Sequence, residues 1–332
     1  MGICLIGTEG SKRREYFIKA AEAYQIPVRF VAWHEVETVD LCHEIVKIDP
    51  PSYSSADISD LGSQTETYLS RLSYLENAGC RFLNTPAGIK SVLDKRHCKE
   101  VLAKHDIPAT YMVKENVRTV EELEEIMEKY RMYSVFIKPV FCSGAAGVVA
   151  LRWYPKRKRA MAYTSCYVQN GELVNTKTLY HLDKESDIRL LLQKVLALGA
   201  IVERWHPKAS FKGKSYDLRV VWQFGKIAFM VARQSAGPIT NLHLNNAPLD
   251  WQRLSLKEET LMAIHGLCQD AMKLFPGLSM AGIDVLLEKE TLCPRIIEIN
   301  GQGDLMYQDI FAENRIYKQQ VEYMSHLARE EE

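Results

Sequence analysis

The stretch GIDVLLEKETLCPRIIEIN, residues 282 to 300, places acids inside two apolar runs joined by a polar turn. Side chains alternate faces along a strand. Ile283, Val285 and Leu287 then share one face, with Asp284 on the other. On the return strand Ile297 and Ile299 share a face, while Glu298 and Asn300 share the opposite one. Two carboxylates and an amide gathered on one side of a hairpin are hard oxygen donors, the set Mg²⁺ prefers, usually completed by water or phosphate. The same pattern also fits the solvent-facing side of an antiparallel hairpin. Basic residues elsewhere favour the metal. Lys138 in VFIKPV, Arg219 in DLRVVW and Arg233 in FMVARQ sit within apolar strands, where a charge needs a partner. A polyphosphate with its metal ions is such a partner. In the loop after Lys138, Ser143, Gly144 and Gly147 let backbone N–H groups turn toward an anion.

The elements that must hold these residues fall into three parts. GICLIGT, SKRREYFIKAAEAYQI and VRFVAW read as strand, helix and strand. The turn Gly7-Thr8-Glu9-Gly10 lacks the dinucleotide fingerprint and reads as a tight βα turn. A polar loop over 49–60 precedes a helix over SQTETYLSRLSYLENAG. The second part begins near residue 87 with one helix running until Pro108 stops it. An amphipathic helix over VEELEEIMEKYR follows, then the strands SVFIKPV and VVALRW around the loop FCSGAAG. The run KRKR, 156–159, reads as a solvated turn in preference to a nucleic-acid patch. The third part holds GAIVERW, a hairpin turning at Phe224-Gly225-Lys226, the helix KEETLMAIHGLCQDAMKLF, the acid-bearing hairpin and a terminal helix.

Composition narrows the function. Of 332 residues, 47% are hydrophobic, and Lys+Arg and Asp+Glu both number 42. Zero net charge gives no general attraction to nucleic acid or anionic membranes, so neither is expected as a partner. The cysteines form no C-x-x-C pair, which points to reduced thiols and a cytoplasmic protein. The start lacks a signal-peptide pattern, and no run has the apolar length of a membrane span.

From FLNTPAGIKSVLDK to IIEINGQGDL, roughly residues 82 to 305, the chain resembles the ATP-grasp superfamily, most closely its branch typified by the ribosomal-protein S6 glutamate ligase. NTPAGIKSVLDKRHCKEVLAKHDIPAT resembles the helix with the family's first ATP lysine, here Lys95. FIKPVFCSGAAGV is similar to the second lysine, Lys138, with its glycine-rich lid. VERW resembles the hinge that holds adenine, with Glu203 as its acid and Arg204 and Trp205 beside it. YDLRVVWQFGKIAFMVARQ with NLHLNNA resembles the family's strand pair and Asn-Leu-His segment, and AGIDVL with IIEIN its metal-binding strands.

The resemblance implies an α/β class with α+β lobes. An N-terminal Rossmann-like pre-ATP-grasp domain (1–86) would precede a lobe with the lid loop (87–202) and a C-terminal lobe with the metal-binding hairpin (203–332). It implies ATP held by Lys95, Lys138, Ser143, Gly144, Gly147, Glu203, Arg204, Trp205 and Asp217. One or two Mg²⁺ ions, with Mn²⁺ as the alternative, would lie on Asp284, Glu298 and Asn300. Arg219, Arg233 and Asn241 would act at the transferring phosphoryl group. The implied activity is an ATP-dependent carboxylate–amine ligase making an amide through an acyl phosphate, on small-molecule or peptide substrates, with a homodimer as a further expectation. The alternatives are a small-molecule kinase on the same fold and a non-catalytic ATP-binding subunit of a biosynthetic assembly. Departures cluster near the acceptor side: Cys142 in the lid, Asn245-Asn246, the stretch KASFKGKS (208–215), and Gly301-Gln302-Gly303-Asp304.

Overall fold

The opening repeat builds a parallel layer. Strand β1 (Gly2–Gly7) lies between β2 (Val28–Ala32) and β3 (Glu44–Ile48), and the short β4 (Arg81–Phe82) pairs with β3. Parallel neighbours need crossovers, supplied by helix α1 (Lys12–Ala23) and by α2 (Leu61–Leu75). Ser11 starts α1 by accepting the Arg14 N–H on its hydroxyl, a standard N-cap interaction. The computed structural model describes residues 1–52, 58, 60–142, 144–154, 159–244, 246–303 and 314–329, without the side chain of residue 243. Among them, no helix is long and apolar enough to cross a membrane.

The single helix expected up to Pro108 is in fact two. Asp94 ends α3 (Pro86–Leu93) and begins α4 (Lys95–Lys104), with an extended backbone and a carboxylate that accepts the His97 N–H. A short acid bonds the backbone more favourably as a cap than inside a helix, so the periodic stretch breaks there. The break makes Lys95 the first residue of α4. Both helices add Ile89, Val92, Cys98 and Leu102 to a core shared with the third sheet, so this segment packs away from the lobe in which the sequence division at residue 87 puts it.

Helix α5 (Val120–Lys129) opens on a reciprocal Thr119–Glu122 capping box. An antiparallel sheet follows: β5 (Ser134–Pro139), β6 (Val149–Tyr154), β7 (Arg159–Gln169), β8 (Glu172–Leu182) and, after α6 (Glu185–Ala197), β9 (Ala200–Arg204), in the order β8-β7-β6-β5-β9. Helices α5 and α6 cover one face of it with Leu123, Met127, Leu192 and Leu196. Of KRKR, Arg159 begins β7 and the other three residues lie outside the described residues.

The third sheet combines β10 (Ser210–Phe211), β11 (Lys214–Gln223), β12 (Lys226–Ser235), β13 (Ala247–Leu249), β14 (Met280–Leu287) and β15 (Pro294–Asn300), backed by α7 (Glu258–Lys273). The hairpin turn falls at Phe224 and Gly225, with φ of 50° and 82°, the paired positive values that suit a tight two-residue hairpin. The final helix α8 (Arg315–Arg329) returns to the first sheet. Ile316, Tyr317, Val321 and Met324 pack there on Ile3, Leu5 and Phe17, and on Val221 and Met280 of the third sheet.

One register detail departs from strict alternation. Asp284 stands opposite Glu298, but Val285 stands opposite Ile296, leaving Ile297 as the extra residue of a β-bulge. Ile296 and Ile299 therefore enter the core, and not the pair Ile297 and Ile299. An extra residue shifts every side chain on one side of it to the other face.

Candidate functional site

A cleft of about 530 Å³ opens between the second and third sheets, within the usual range for ligand pockets, and the N-terminal unit closes one end with Arg13 of α1, Gln64 of α2 and the loop residues Pro50 and Ser52. Strand β15 runs along its length. Leu286, opposite Arg295, marks the end near the hinge, while Gln302 and Gly303 reach the first sheet, where Arg13 donates to both carbonyls at 2.7 and 2.9 Å.

Both expected lysines reach into this cleft, each beside an acid. From the start of α4, Lys95 Nζ donates to the Cys142 carbonyl at 2.6 Å and lies 3.5 Å from Glu298. Burial alone would lower its pKa, but the neighbouring Cys142 and Glu298 outweigh burial and raise it. From β5, Lys138 Nζ lies 2.7 Å from Glu203. Glu203, the acid expected beside adenine, is only 1% exposed. Besides Lys138 it meets Lys99 at 3.2 Å and accepts the Thr110 hydroxyl at 3.0 Å. Burial would raise the Glu203 carboxyl, but the two lysines together hold it below the ordinary carboxylate range.

The arginines form a second group. Arg219 Nε lies 2.6 Å from Asp284 Oδ1, and Arg233 reaches Asp284 Oδ2 at 3.0 Å and Asp217 at 2.7 Å. Lys208 adds contacts to Asp217 at 3.1 Å and to the Thr240 hydroxyl at 2.7 Å, and that hydroxyl also donates to Asp217. Against the opposing effect of burial, Arg233 and Lys208 hold the Asp217 carboxyl far below its usual range. Asp284 thus pairs with two guanidinium groups at once. Glu298 and Asn300 line the same cleft on β15. Among the described residues no group of three His, Cys, Asp or Glu side chains is arranged to hold a metal by itself. The donor set present fits a Mg²⁺ that takes one or two carboxylates and an amide from protein and the rest from phosphate oxygens.

The lid loop follows β5. Gly144 and Ala145 line the cleft with φ of 65° and 67°. Gly147 does not line it, and its N–H points to Cys166 Sγ at 3.1 Å. Ser143 lies outside the described residues. Burial pushes the Cys142 thiol up, which disfavours the thiolate a nucleophile needs. In the hinge, Arg204 and His206 line the cleft, whereas Trp205 packs against Phe136, with ring centroids 5.3 Å apart, and under Arg152. Asn241 lines the cleft and its carbonyl accepts from Asn246 at 2.8 Å.

Three contributors escaped the sequence reading. Lys99 stands four residues after Lys95, on the same helix face, between Cys98 and Leu102; that spacing was a usable signal. Lys208 sits in a stretch that reads as an insertion. Arg13 arrives from the first helix, and nothing local marks it.

No protein-family model and no curated protein sequence matches this chain. Solved structures do. The chain is similar to the macrocyclase MdnC bound with precursor peptide MdnA from Microcystis aeruginosa MRC, at 14% identity and a TM-score of 0.61, over 98% of this chain and 100% of that one. The ATP-grasp ligase PsnB complexed with minimal precursor, Mg and ADP matches at 11% identity and 0.60, covering 98% of each chain. The D-cycloserine synthetase DcsG matches at 12% identity and 0.64, over 97% of this chain and 100% of that one. Near-complete coverage in both directions means that all three sheets and their connections are shared, and the chain has the ATP-grasp fold.

Proposed function

We propose that the protein is an ATP-dependent carboxylate–amine ligase, working on a small-molecule or peptide carboxylate and an amine. The observation that carries this reading is the convergence of Lys95–Glu298 and Lys138–Glu203, from separate sheets, on one cleft. Such an arrangement sets cations for phosphates and oxygen donors for a metal side by side in one cleft. The similar structures named above support it, among them a macrocyclase bound with its precursor peptide and an ATP-grasp ligase complexed with minimal precursor, Mg and ADP.

In this reading Lys95, Lys138 and the backbone around Gly144 hold the nucleotide phosphates. Glu298 and Asn300, with Asp284 beside them, hold Mg²⁺, which supplies charge neutralisation at the phosphates. A carboxylate oxygen of the first substrate attacks the γ-phosphorus, releasing ADP and leaving an acyl phosphate. The amine then attacks the acyl carbon, and phosphate and a proton leave. Catalysis of such transfer rests on positioning and electrostatic stabilisation. Arg219 and Arg233, fixed on Asp284 and Asp217, present preorganised donors to the transferring group. Asn241 reaches the same space. The N-terminal sheet contributes the substrate end of the cleft.

The test is product analysis with pooled carboxylates and amines. ADP and phosphate should appear only when both substrates are present; AMP and pyrophosphate would rule the mechanism out. Glu298→Gln should lower turnover by about a hundredfold or more and raise the Mg²⁺ concentration needed for half-maximal rate. An enzyme with unchanged Mg²⁺ dependence would remove Glu298 from the metal site.

A further inference from the structure

Lys99 lies behind the cleft wall and does not line it, yet it is one of the most tightly held charges in the molecule. Its Nζ donates to the Thr110 hydroxyl and carbonyl and to the Ile296 carbonyl at 3.2 Å, and it lies 3.2 Å from Glu203 Oε1. The other oxygen of Glu203 takes Lys138 at 2.7 Å and the Thr110 hydroxyl at 3.0 Å. Burial lowers the Lys99 pKa and the Glu203 carboxylate opposes that effect, while serving this many acceptors calls for all three N–H donors of an ammonium. One carboxylate therefore lies between two ammonium groups, and only one of them, Lys138, faces the cleft.

We propose that Lys99 is a positioning residue that sets nucleotide affinity by neutralising Glu203, so that the charge of Lys138 is left for a nucleotide phosphate. This inference rests on the nucleotide site of the ligase reading. Lys99 and Lys138 each carry one positive charge and Glu203 one negative charge, so the buried triad carries a net positive charge that a phosphate can neutralise. Without Lys99, Glu203 and Lys138 form a self-contained neutral pair. In a site of low dielectric that difference is large, and it acts on binding without any contact between Lys99 and the ligand.

ADP binding by calorimetry on the full chain tests the idea, with circular dichroism confirming the fold of each variant. Lys99→Gln keeps a donor for Thr110 and Ile296, and Lys99→Met keeps the length; each should weaken ADP by about tenfold or more. Glu203→Gln in the Lys99→Gln background restores one net positive charge, and the double variant should return to within about threefold of the wild type. Lys99 variants that bind ADP like the wild type would overturn the proposal. So would a double variant as weak as Lys99→Gln, which would assign Lys99 the merely structural task of tying α4 to β15. A wild type that binds no ADP would instead overturn the nucleotide site itself.

Discussion

Each described acid that lines the cleft is held by a base: Glu298 by Lys95, Glu203 by Lys138 and Lys99, Asp284 by Arg219 and Arg233, and Asp217 by Arg233 and Lys208. Buried pairs of this kind add little net stability, but removing one partner strands a charge and costs about 3–5 kcal/mol. They also set the acid limit of the fold. Glu203 and Asp217 have folded pKa values below their unfolded values of about 4. Between those values the unfolded chain binds more protons, so their contribution is fully present above pH about 4 and is lost as pH falls through the folded values. Urea midpoints measured from pH 7 down to pH 2 should hold until about pH 4 and then decline. Asp217→Asn should flatten that decline while lowering the plateau; an unchanged slope would show that Asp217 is not a source of the acid limit.

At the scale of elements, the lid depends on one close approach. Gly147 has a φ of 69°, and a Cβ there would lie 2.6 Å from Pro139 Cγ, the residue after Lys138. A side chain meets two penalties: the left-handed backbone, about 1–2 kcal/mol, and a proline ring that cannot rotate away. Gly147→Ala should therefore push the lid off β5 and weaken ADP binding by about tenfold. Gly171, in the β7–β8 turn at φ 82°, has open space around it. Gly171→Ala should show the backbone strain in its thermal midpoint and leave ADP binding unchanged. Equal loss of ADP binding in both variants would argue that the lid contact is irrelevant.

At the scale of the whole molecule, α8 decides how the sheets cooperate. It inserts Ile316, Tyr317, Val321 and Met324 between the first sheet and the third, while α3 and α4 join the same two sheets from the other side. The substrate end of the cleft is thereby built on the same body as the arginines. Met324→Ala should lower the free energy of unfolding by about 2–5 kcal/mol, the usual cost of a core cavity. Urea transitions followed by tryptophan fluorescence and by far-ultraviolet circular dichroism should shift together, since Trp33 and Trp222 lie in the one core that spans both sheets. Separate shifts would show that the first sheet unfolds on its own.

Apart from Lys95, which only the resemblance marked, the local sequence determined the parallel opening unit, the β11–β12 hairpin with its Phe224-Gly225 turn, the acid-bearing β14–β15 pair and the cleft lysine Lys138. Each of these depends on periodicity or on a charge placed within an apolar strand, signals confined to a few neighbouring residues. Only the tertiary structure decided the partners. A bulge at Ile297 changed which isoleucines face the core, Glu203 was paired with Lys138 and Lys99, and Asp284 with Arg219 and Arg233. Lys99, Lys208 and Arg13 joined the site through contacts that local patterning cannot encode. A buried charge states that it needs a counter-charge, but the identity of that counter-charge depends on which distant strands pack against it.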